Sequence, residues 1–289
     1  MAQTKSEIQS LLSEANSHPR HRFGQNFMID QNLVRLVAEA GQLTPNDLAI
    51  EVGPGTGTLT DELLSRAGRV VSVEIDRDLA ALLRRQLADR PTFTLVEGDA
   101  LAGKHGLNTE LVEVIRSTRA EGRAAKLVAN LPYNIASPLV IELLIEGVEI
   151  LAFTVQKEVA DRLRAAAGGD AYGPLTVMAQ MLGRVEMLRT LPPQAFWPAP
   201  KIDSALVRVT REDRIGGGVE RVRAFGEFVH KVFSFRRKTL RKALAQGGYD
   251  AEQVLGATGI DGQQRPEVLT PMQFLQMYEA VAKSNRYRA

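Results

Sequence analysis

The segment Asn130-Leu-Pro-Tyr-Asn-Ile135 groups side chains that suit chemistry on a planar amine. It follows a short apolar run that predicts a buried strand. The Asn130 side-chain oxygen and the Leu131 carbonyl, held by the ring of Pro132, can accept hydrogen bonds from both N–H groups of an exocyclic amine such as that of adenine. Tyr133 can stack on the same base. These positions predict group transfer to a flipped-out base, and an ordinary turn with Tyr133 in the core is the simpler alternative.

Three further positions predict a pocket for a ligand that contains adenosine. A glycine turn, Gly53-Pro-Gly-Thr-Gly57, follows an apolar run and lets a ligand approach the backbone closely. Glu74 lies about 20 residues beyond Gly53, where a carboxylate can accept from both hydroxyls of a ribose. Asp99 follows the next apolar run and can accept from an adenine amino group. The alternative is that each acid caps the helix that follows it.

The glycine turn differs from the common phosphate-binding loops. Threonine occupies position 58, where the dinucleotide fingerprint needs its third glycine, and the loop lacks the lysine of a P-loop. Glu51 directly precedes the turn. An acidic residue there favours a cationic or zwitterionic ligand over a pyrophosphate.

Apolar, β-branched runs alternate with helical patterns along the first two thirds of the chain. The predicted strands lie at 48–52, 70–75, 92–96, 126–130 and 150–155. This alternation predicts an α/β fold with a mostly parallel sheet covered on both faces. Residues 184–210 predict antiparallel strands at its far edge. The motifs described above all fall at the carboxyl ends of strands, where open α/β sheets bind their ligands.

Chain length and charge distribution predict two unequal domains. The 289 residues carry a net charge of +2, yet the segment from Val219 to the C-terminus contains 12 Lys and Arg against 7 Asp and Glu. A basic, helix-patterned segment of this kind is typical of nucleic-acid binding. We predict a flexible N-terminal segment at 1–19, an α/β domain at 20–210, a glycine-rich linker at 211–218 and a basic helical domain at 219–289.

Composition narrows the chemistry and the location. The absence of cysteine excludes disulfides and thiolate catalysis, and the four histidines lack metal-ligand spacing, so we expect no metal site. No apolar run reaches the roughly 20 residues of a membrane span. The N-terminus lacks the pattern of a secretory or transit peptide. We expect a cytoplasmic protein without a membrane partner, and a monomer because no coiled-coil pattern is present.

Seven short motifs follow one another along the chain. They are FGQNFMID at 23–30, EVGPGTGTLT at 51–60, VEID at 73–76, EGDAL at 97–101, NLPYNI at 130–135, QKEVADRL at 156–163 and FWPAPKIDSALVRV at 196–209. Together they resemble the KsgA/RsmA family of S-adenosylmethionine-dependent ribosomal RNA adenine dimethyltransferases. The resemblance spans about 20–245 and continues more weakly beyond. It implies a seven-stranded, Rossmann-like class I methyltransferase domain followed by a small all-helical domain.

The resemblance also implies a reaction and a set of site residues. The reaction is N6,N6-dimethylation of two adjacent adenines in the 3′-terminal hairpin loop of small-subunit (16S) ribosomal RNA, coupled to small-subunit maturation. The residues implied for S-adenosylmethionine are Asn26, Met28, Gly53, Gly55, Glu74, Asp99 and Asn130. The residues implied for the acceptor adenine are Asn130, Leu131, Pro132 and Tyr133, with Phe196 as a second ring. The family more often has leucine at the position of Met28, a change of similar volume.

Basic residues are the candidates for RNA contact. They are Arg20, Arg22, Lys201, Arg236, Arg237, Lys238, Arg241 and Lys242. Such cations contact phosphates and carry affinity without reading the bases. The implied partner is small-subunit ribosomal RNA within an immature 30S-type particle.

Two other functions remain open from the sequence. A large-subunit ribosomal RNA adenine methyltransferase of the macrolide-resistance type would share the donor pocket. A non-catalytic ribosome assembly factor or transcription factor would share the fold. The NLPYNI and GPGTG motifs favour the small-subunit enzyme, and an intact donor pocket argues against a purely structural role.

Overall fold

The computed structural model describes residues 3–20, 23–103 and 106–286. The strands are β1 (Phe27–Met28), β2 (Leu48–Val52), β3 (Arg69–Glu74), β4 (Phe93–Glu97), β5 (Ala125–Asn130), β6 (Ile150–Gln156), β7 (Gly183–Leu191), β8 (Phe196–Trp197) and β9 (Ser204–Arg211). The α-helices are α1 (Lys5–Glu14), α2 (Gln31–Ala40), α3 (Thr58–Leu64), α4 (Arg77–Gln86), α5 (Thr109–Ala120), α6 (Ala136–Ile145), α7 (Lys157–Leu163), α8 (Pro174–Leu182), α9 (Val219–Phe233), α10 (Leu240–Gln246), α11 (Ala251–Thr258) and α12 (Pro271–Arg286).

Seven strands form one mixed sheet in the order β4-β3-β2-β5-β6-β9-β7. Strands β2 to β6 pair in parallel, and β9 pairs antiparallel with β6. The chain runs outward from β2 to β4 and then returns to β5 on the other side of β2. The carboxyl ends of β2 and β5 therefore flank the switch point, where α/β sheets form their ligand crevice. The predicted α/β fold with seven strands is confirmed.

Helix α2 shows how the sheet is covered. Asp30 caps the helix by accepting from the backbone N–H groups of its first turn. Leu33 and Val37 lie four residues apart on its apolar face and pack in one core with Val128 and Ala152 of the sheet. Packing of this kind favours apolar residues on the strands that α2 covers.

The N-terminal segment differs from the flexible stretch predicted from the sequence. Thr4 and Glu7 form a capping box at the start of α1. Ile8 and Leu12 are buried in one cluster with Leu79 of α4. The sequence pattern of α1 alone does not reveal this partner, because α4 lies more than 60 residues further along the chain.

The chain divides into two compact units at boundaries other than those predicted. The first unit comprises residues up to Ala160 together with Val185–Arg211, and the second comprises Asp161–Arg184 together with the chain from Glu212 onward. The predicted α/β domain at 20–210 thus included one segment of the second unit, and the predicted linker belongs mostly to that unit.

Contacts within the second unit explain why residues 161–184 group with the C-terminal helices. The Tyr172 ring lies 6.1 Å from that of Phe233, and the Tyr172 hydroxyl donates to the Leu269 carbonyl. The Arg214 N–H donates to the Met181 carbonyl, so the predicted linker is tied to α8. These long-range contacts have no signature in local sequence.

Candidate active site

A cavity of about 1000 Å³, including space open to solvent, lies at the carboxyl ends of β2, β3, β4 and β5. It brings together all seven residues predicted for the methyl donor, namely Asn26, Met28, Gly53, Gly55, Glu74, Asp99 and Asn130. Leu131, Pro132 and Tyr133 also line this cavity. Distant positions meet here because parallel strands end at one edge of the sheet.

The glycine turn adopts a backbone that requires glycine. The φ angles of Gly53 and Gly55 are +74° and +62°, in the left-handed region that side chains disfavour. A Cβ atom added to Gly55 would lie 2.8 Å from the Phe27 ring, which is closer than real Cβ contacts. The backbone therefore lies bare along the cavity wall.

Glu74 is held in place by backbone donors. Its carboxylate oxygens accept from the Gly55 N–H at 3.2 Å and the Asp76 N–H at 2.8 Å. The residue is 3% exposed, and burial raises the pKa of Glu74 to about 7. The N-cap of α4 is Asp76, whose side chain accepts from the Asp78 N–H. The alternative role of Glu74 as a helix cap is therefore wrong.

Asp99 is exposed beside the same cavity. Its carboxylate accepts from the Leu101 N–H at 2.9 Å, which fixes the local turn. The N-cap of α5 is Asn108. The helix-cap alternative is therefore wrong for Asp99 as well.

Glu51 lies beneath the glycine turn and is 1% exposed. One carboxyl oxygen accepts from the Thr60 hydroxyl at 2.6 Å and from the Ser72 hydroxyl at 2.9 Å. Burial raises the pKa of Glu51 to about 7. The protonation state of Glu51 therefore changes near neutral pH.

The Asn130 amide is fixed at both ends. Its nitrogen donates to the Asn26 backbone carbonyl at 2.5 Å, and its oxygen accepts from the Thr154 hydroxyl. The Asn26 carbonyl can only accept, so the amide nitrogen must face it and the amide oxygen must face Thr154. The sequence motif identified Asn130 but did not indicate these two partners.

Tyr133 forms part of the cavity wall and is half-buried. Its hydroxyl lies 2.7 Å from the Ser204 hydroxyl oxygen at the start of β9. Burial raises the pKa of Tyr133 above its usual value. The hydrogen bond to Ser204 thus holds the Tyr133 hydroxyl in place, and Tyr133 also lines the cavity. Tyr133 is therefore not an ordinary core tyrosine.

Phe196 corrects one of the predictions. It was expected to stack on the acceptor base, but it is 2% exposed and does not line the cavity. Phe196 pairs with Met28 across the β8–β1 ladder and packs in the core that includes Leu33 and Leu206. The Phe196 ring therefore contributes to core packing, whereas Met28 contacts both the core and the cavity.

Ile75 is a cavity residue that the sequence analysis missed. It directly follows Glu74, lines the cavity and is 43% exposed, which is high for a large apolar side chain. A hydrophobic residue at the end of an otherwise buried strand was the signal available in the sequence.

The predicted RNA-binding residues have different environments. Arg20 donates to Asp76 at 3.0 Å and Asp78 at 2.5 Å, so it anchors the chain to α4 and is not a free cation for phosphate. Arg22 lies outside the described residues. Lys201 is exposed on the first unit.

The remaining predicted RNA-binding residues belong to the second unit. Arg236, Arg237, Lys238 and Lys242 are exposed. Arg241 is half-buried and forms an ion pair with Glu252. The exposed cations of this run are therefore the better candidates for phosphate contact.

Two absences hold for residues 3–20, 23–103 and 106–286. This part of the chain contains no group of His, Asp and Glu that could hold a metal ion. Within the same ranges, no helix has the length and apolar character needed to cross a bilayer.

Known proteins of similar structure include two crystallised enzymes. A crystallised 23S ribosomal RNA methyltransferase, ErmE, has a TM-score of 0.63 and 27% sequence identity, with coverage of 89% of this chain and 100% of that one. A dimethyladenosine transferase from Plasmodium falciparum has a TM-score of 0.70 at 21% identity, covering 90% of this chain and 98% of that one. The second comparison supports the fold alone.

Sequence relatives are more similar. A protein from Magnetococcus marinus called "Ribosomal RNA small subunit methyltransferase A" is 43% identical over 275 residues, 93% of this chain and 94% of its own. A protein of the same name from Pseudomonas syringae is 37% identical over 266 residues, 91% of this chain and 95% of its own. The family described as "Ribosomal RNA adenine dimethylase" matches residues 16–283. The chain therefore belongs to the ribosomal RNA adenine dimethylase family.

Proposed function

We propose that the protein transfers methyl groups from S-adenosylmethionine to the N6 atoms of two adjacent adenines in the 3′-terminal hairpin loop of small-subunit ribosomal RNA. Family membership supports adenine dimethylation, and the names of the relatives support the choice of subunit. The observation that carries the proposal is the fixed amide of Asn130 in the same cavity as Glu74 and Asp99.

The cavity residues fit the methyl donor. Glu74 would accept from the ribose hydroxyls, Asp99 would accept from the adenine amino group, and Ile75 would contact the adenine ring. The bare backbone of Gly53 and Gly55 leaves room for the methionine portion. S-adenosylmethionine supplies, when bound, a methyl group on a sulfonium centre that is already activated for transfer, so the proposed reaction requires no metal ion.

Asn130 and Leu131 would orient the acceptor amine. The adenine amine is a weak nucleophile because its lone pair is delocalised into the ring. The Asn130 side-chain oxygen and the Leu131 carbonyl would accept from its two N–H groups and favour a pyramidal nitrogen whose lone pair faces the methyl group. Alignment of this kind lowers the barrier to transfer. As the nitrogen gains a methyl group, the bond between that methyl and the donor sulfur would break, S-adenosylhomocysteine would leave, and the nitrogen would lose one proton to water.

Tyr133 would hold the base once it has left the RNA stack. Enzymes that modify a base must extrude it, and a stacked aromatic ring recovers part of the lost stacking energy. The hydrogen bond between Tyr133 and Ser204 fixes the orientation of the ring in advance. Pro132 keeps the preceding carbonyl in place because its own φ angle is fixed.

Exposed cations would supply affinity for the ribosomal RNA. Lys201, Arg236, Arg237, Lys238 and Lys242 would contact phosphates, which position the RNA without reading its sequence. An RNA of defined shape within an immature 30S-type particle would then present the two adenines. We propose that the protein acts as a monomer in the cytoplasm.

A large-subunit methyltransferase is the second candidate. The structural similarity to a 23S ribosomal RNA methyltransferase favours this candidate. However, that enzyme is 27% identical to this chain, whereas the small-subunit relative is 43% identical. The cavity around Asn130 argues against a purely non-catalytic assembly or transcription factor, although particle binding can accompany catalysis.

The test is methyl transfer with two alternative substrates. The purified protein is incubated with labelled S-adenosylmethionine and with unmethylated small subunits or large subunits, and the modified nucleosides are identified. We expect N6,N6-dimethyladenosine in the small subunit alone. Label in the large subunit would favour the second candidate, and donor binding without transfer to either would favour the assembly factor.

A further inference from the structure

Thr154 lies beside Asn130 because of the register of the sheet. Strands β5 and β6 are parallel neighbours, and Asn130 pairs directly with Thr154. Residues paired in this way direct their side chains to the same face of a sheet. A polar residue within the apolar strand Ile150–Gln156 is thus placed next to the amide at the cavity.

The Thr154 side chain is fully buried, with 0% exposure. A buried hydroxyl without a hydrogen bond is costly, and the Asn130 amide oxygen is the acceptor of this one. The opposite end of the amide donates to the Asn26 carbonyl. The carbonyl can only accept, so it determines which end of the amide faces Thr154, and the hydroxyl donates to the amide oxygen there.

We propose that Thr154 is a positioning residue for methyl transfer, acting through Asn130. The inference rests on the proposed function, in which the amide oxygen of Asn130 accepts from the adenine amine. With one lone pair used by Thr154, the oxygen presents its second lone pair to the substrate in a fixed direction. An amide held by the Asn26 carbonyl alone would be free to tilt, and its oxygen would no longer face the substrate in one direction.

The second methylation depends more strongly on this orientation. Adenine offers two N–H groups to Asn130 and Leu131, whereas N6-methyladenine offers only one. The monomethylated amine therefore has a single hydrogen bond to set its geometry. Loss of the Thr154 hydroxyl should raise the proportion of monomethylated product.

The test compares Thr154→Val with Thr154→Ser. Valine keeps the volume and removes the hydroxyl, while serine keeps the hydroxyl and removes a methyl group. We expect Thr154→Val to lower kcat roughly 10-fold and to change KM for S-adenosylmethionine by less than about 2-fold. We expect monomethyladenosine to accumulate with the valine variant, and Thr154→Ser to restore both kcat and the dimethylated product.

Two outcomes would overturn the inference. One is a valine variant with the kcat and product ratio of the wild type. The other is a serine variant as impaired as the valine variant, which would assign the effect to packing. If Thr154→Val does not fold, as judged by thermal unfolding, Thr154→Ala replaces it in the same comparison.

A readout without RNA separates this inference from the proposed function. The side-chain amide signals of Asn130, assigned by their loss in Asn130→Ala, are followed by nuclear magnetic resonance in the free protein. We expect them to shift in Thr154→Val and to return toward the wild-type position in Thr154→Ser. Unchanged signals would contradict the role of Thr154 even if the wild type methylates RNA. A shift together with an inactive wild type would instead reject the proposed function.

Discussion

Glu74 and Glu51 are buried carboxyl groups on neighbouring strands, and burial raises the pKa of each to about 7. They have different surroundings. Glu74 accepts from the backbone of the glycine turn, whereas Glu51 accepts from two hydroxyl groups beneath it. Each therefore gives the protein a separate dependence on pH, one for donor binding and one for stability.

Glu74→Gln tests the proposed contact with the donor ribose. Ribose hydroxyls donate to a carboxylate, so donor binding favours the ionised form of Glu74. We expect the affinity of the wild type for S-adenosylmethionine to rise as pH increases through about 7. Glu74→Gln should bind roughly 10-fold more weakly at pH 8 and lose most of this pH dependence. Calorimetric titration between pH 6 and pH 8 measures both effects.

The control for this prediction is Glu51→Gln. It removes the other group with a pKa near 7 and should keep the rise in donor affinity with pH. An equal pH dependence in Glu74→Gln and the wild type would contradict the assignment of Glu74.

Glu51→Gln also tests the effect of burial on stability. Burial raises the pKa of Glu51 in the folded state to about 7 from its usual value of 4.5, so the folded state holds its proton more tightly. Its contribution to stability is fully present below about pH 4.5 and is lost as pH rises to about 7. Glutamine keeps an oxygen for Thr60 and Ser72 without a charge.

We therefore expect Glu51→Gln to be more stable than the wild type by about 1 to 3 kcal/mol at pH 8 and nearly equal to it at pH 4. Denaturant unfolding at the two pH values measures the difference. A difference independent of pH would contradict this account.

At the scale of elements, the glycine turn between β2 and α3 forms one wall of the cavity. Gly55→Ala places a Cβ atom in the left-handed region and against Phe27. Gly122→Ala is a matched control, because Gly122 has a φ of +72° and nothing within 4 Å of an added Cβ. Both variants force alanine into the left-handed region, which costs conformational energy. Only Gly55→Ala also places the Cβ atom too close to Phe27.

We expect Gly55→Ala to lower the free energy of unfolding by about 1 to 3 kcal/mol more than Gly122→Ala does. It should also weaken donor binding, whereas Gly122→Ala should not. Urea unfolding and donor titration measure the two effects. Equal losses in the two variants would contradict the role of the close contact with Phe27.

Elements with strong local signals could be predicted from the sequence. The runs at 48–52 and 126–130 correspond to β2 and β5, and the motifs at their ends meet in one cavity. Apolar, β-branched strands and glycine turns are local features, so a single sequence carries them. The same holds for Asn130 and Glu74, which terminate such strands.

Features that depend on distant partners could not be predicted. Phe196 is aromatic and close to a motif, but its burial is decided by packing with Met28 and Leu33. Arg20 looks like a free cation in sequence and is held by acids more than 50 residues away. Thr154 acquires its role only through the register of β5 and β6.

At the scale of the whole molecule, basic charge is concentrated in the C-terminal segment. The exposed run Arg236, Arg237 and Lys238 tests its role in RNA binding. Replacing all three by glutamine should weaken binding to small subunits roughly 10-fold or more and reduce the slope of log K against log salt by about 2 to 3. Binding measured at several salt concentrations gives both values.

Three exposed arginines elsewhere provide the control. Arg77, Arg85 and Arg90 lie on α4 and in the turn after it. Their replacement by glutamine changes the net charge equally, and we expect a smaller change in slope. Equal changes in the two triple variants would show that net charge alone governs binding.

The most direct test of the account is Asn130→Ala assayed with unmethylated small subunits, with the exposed Asn46→Ala as a control. Methyl transfer, donor binding and particle binding are measured on the same preparations. We predict that Asn130→Ala loses transfer by roughly 100-fold or more while it still binds particles, because its amide aligns the reacting nitrogen. Methylation by Asn130→Ala at the rate of the wild type would contradict the central claim that the reaction takes place at this amide.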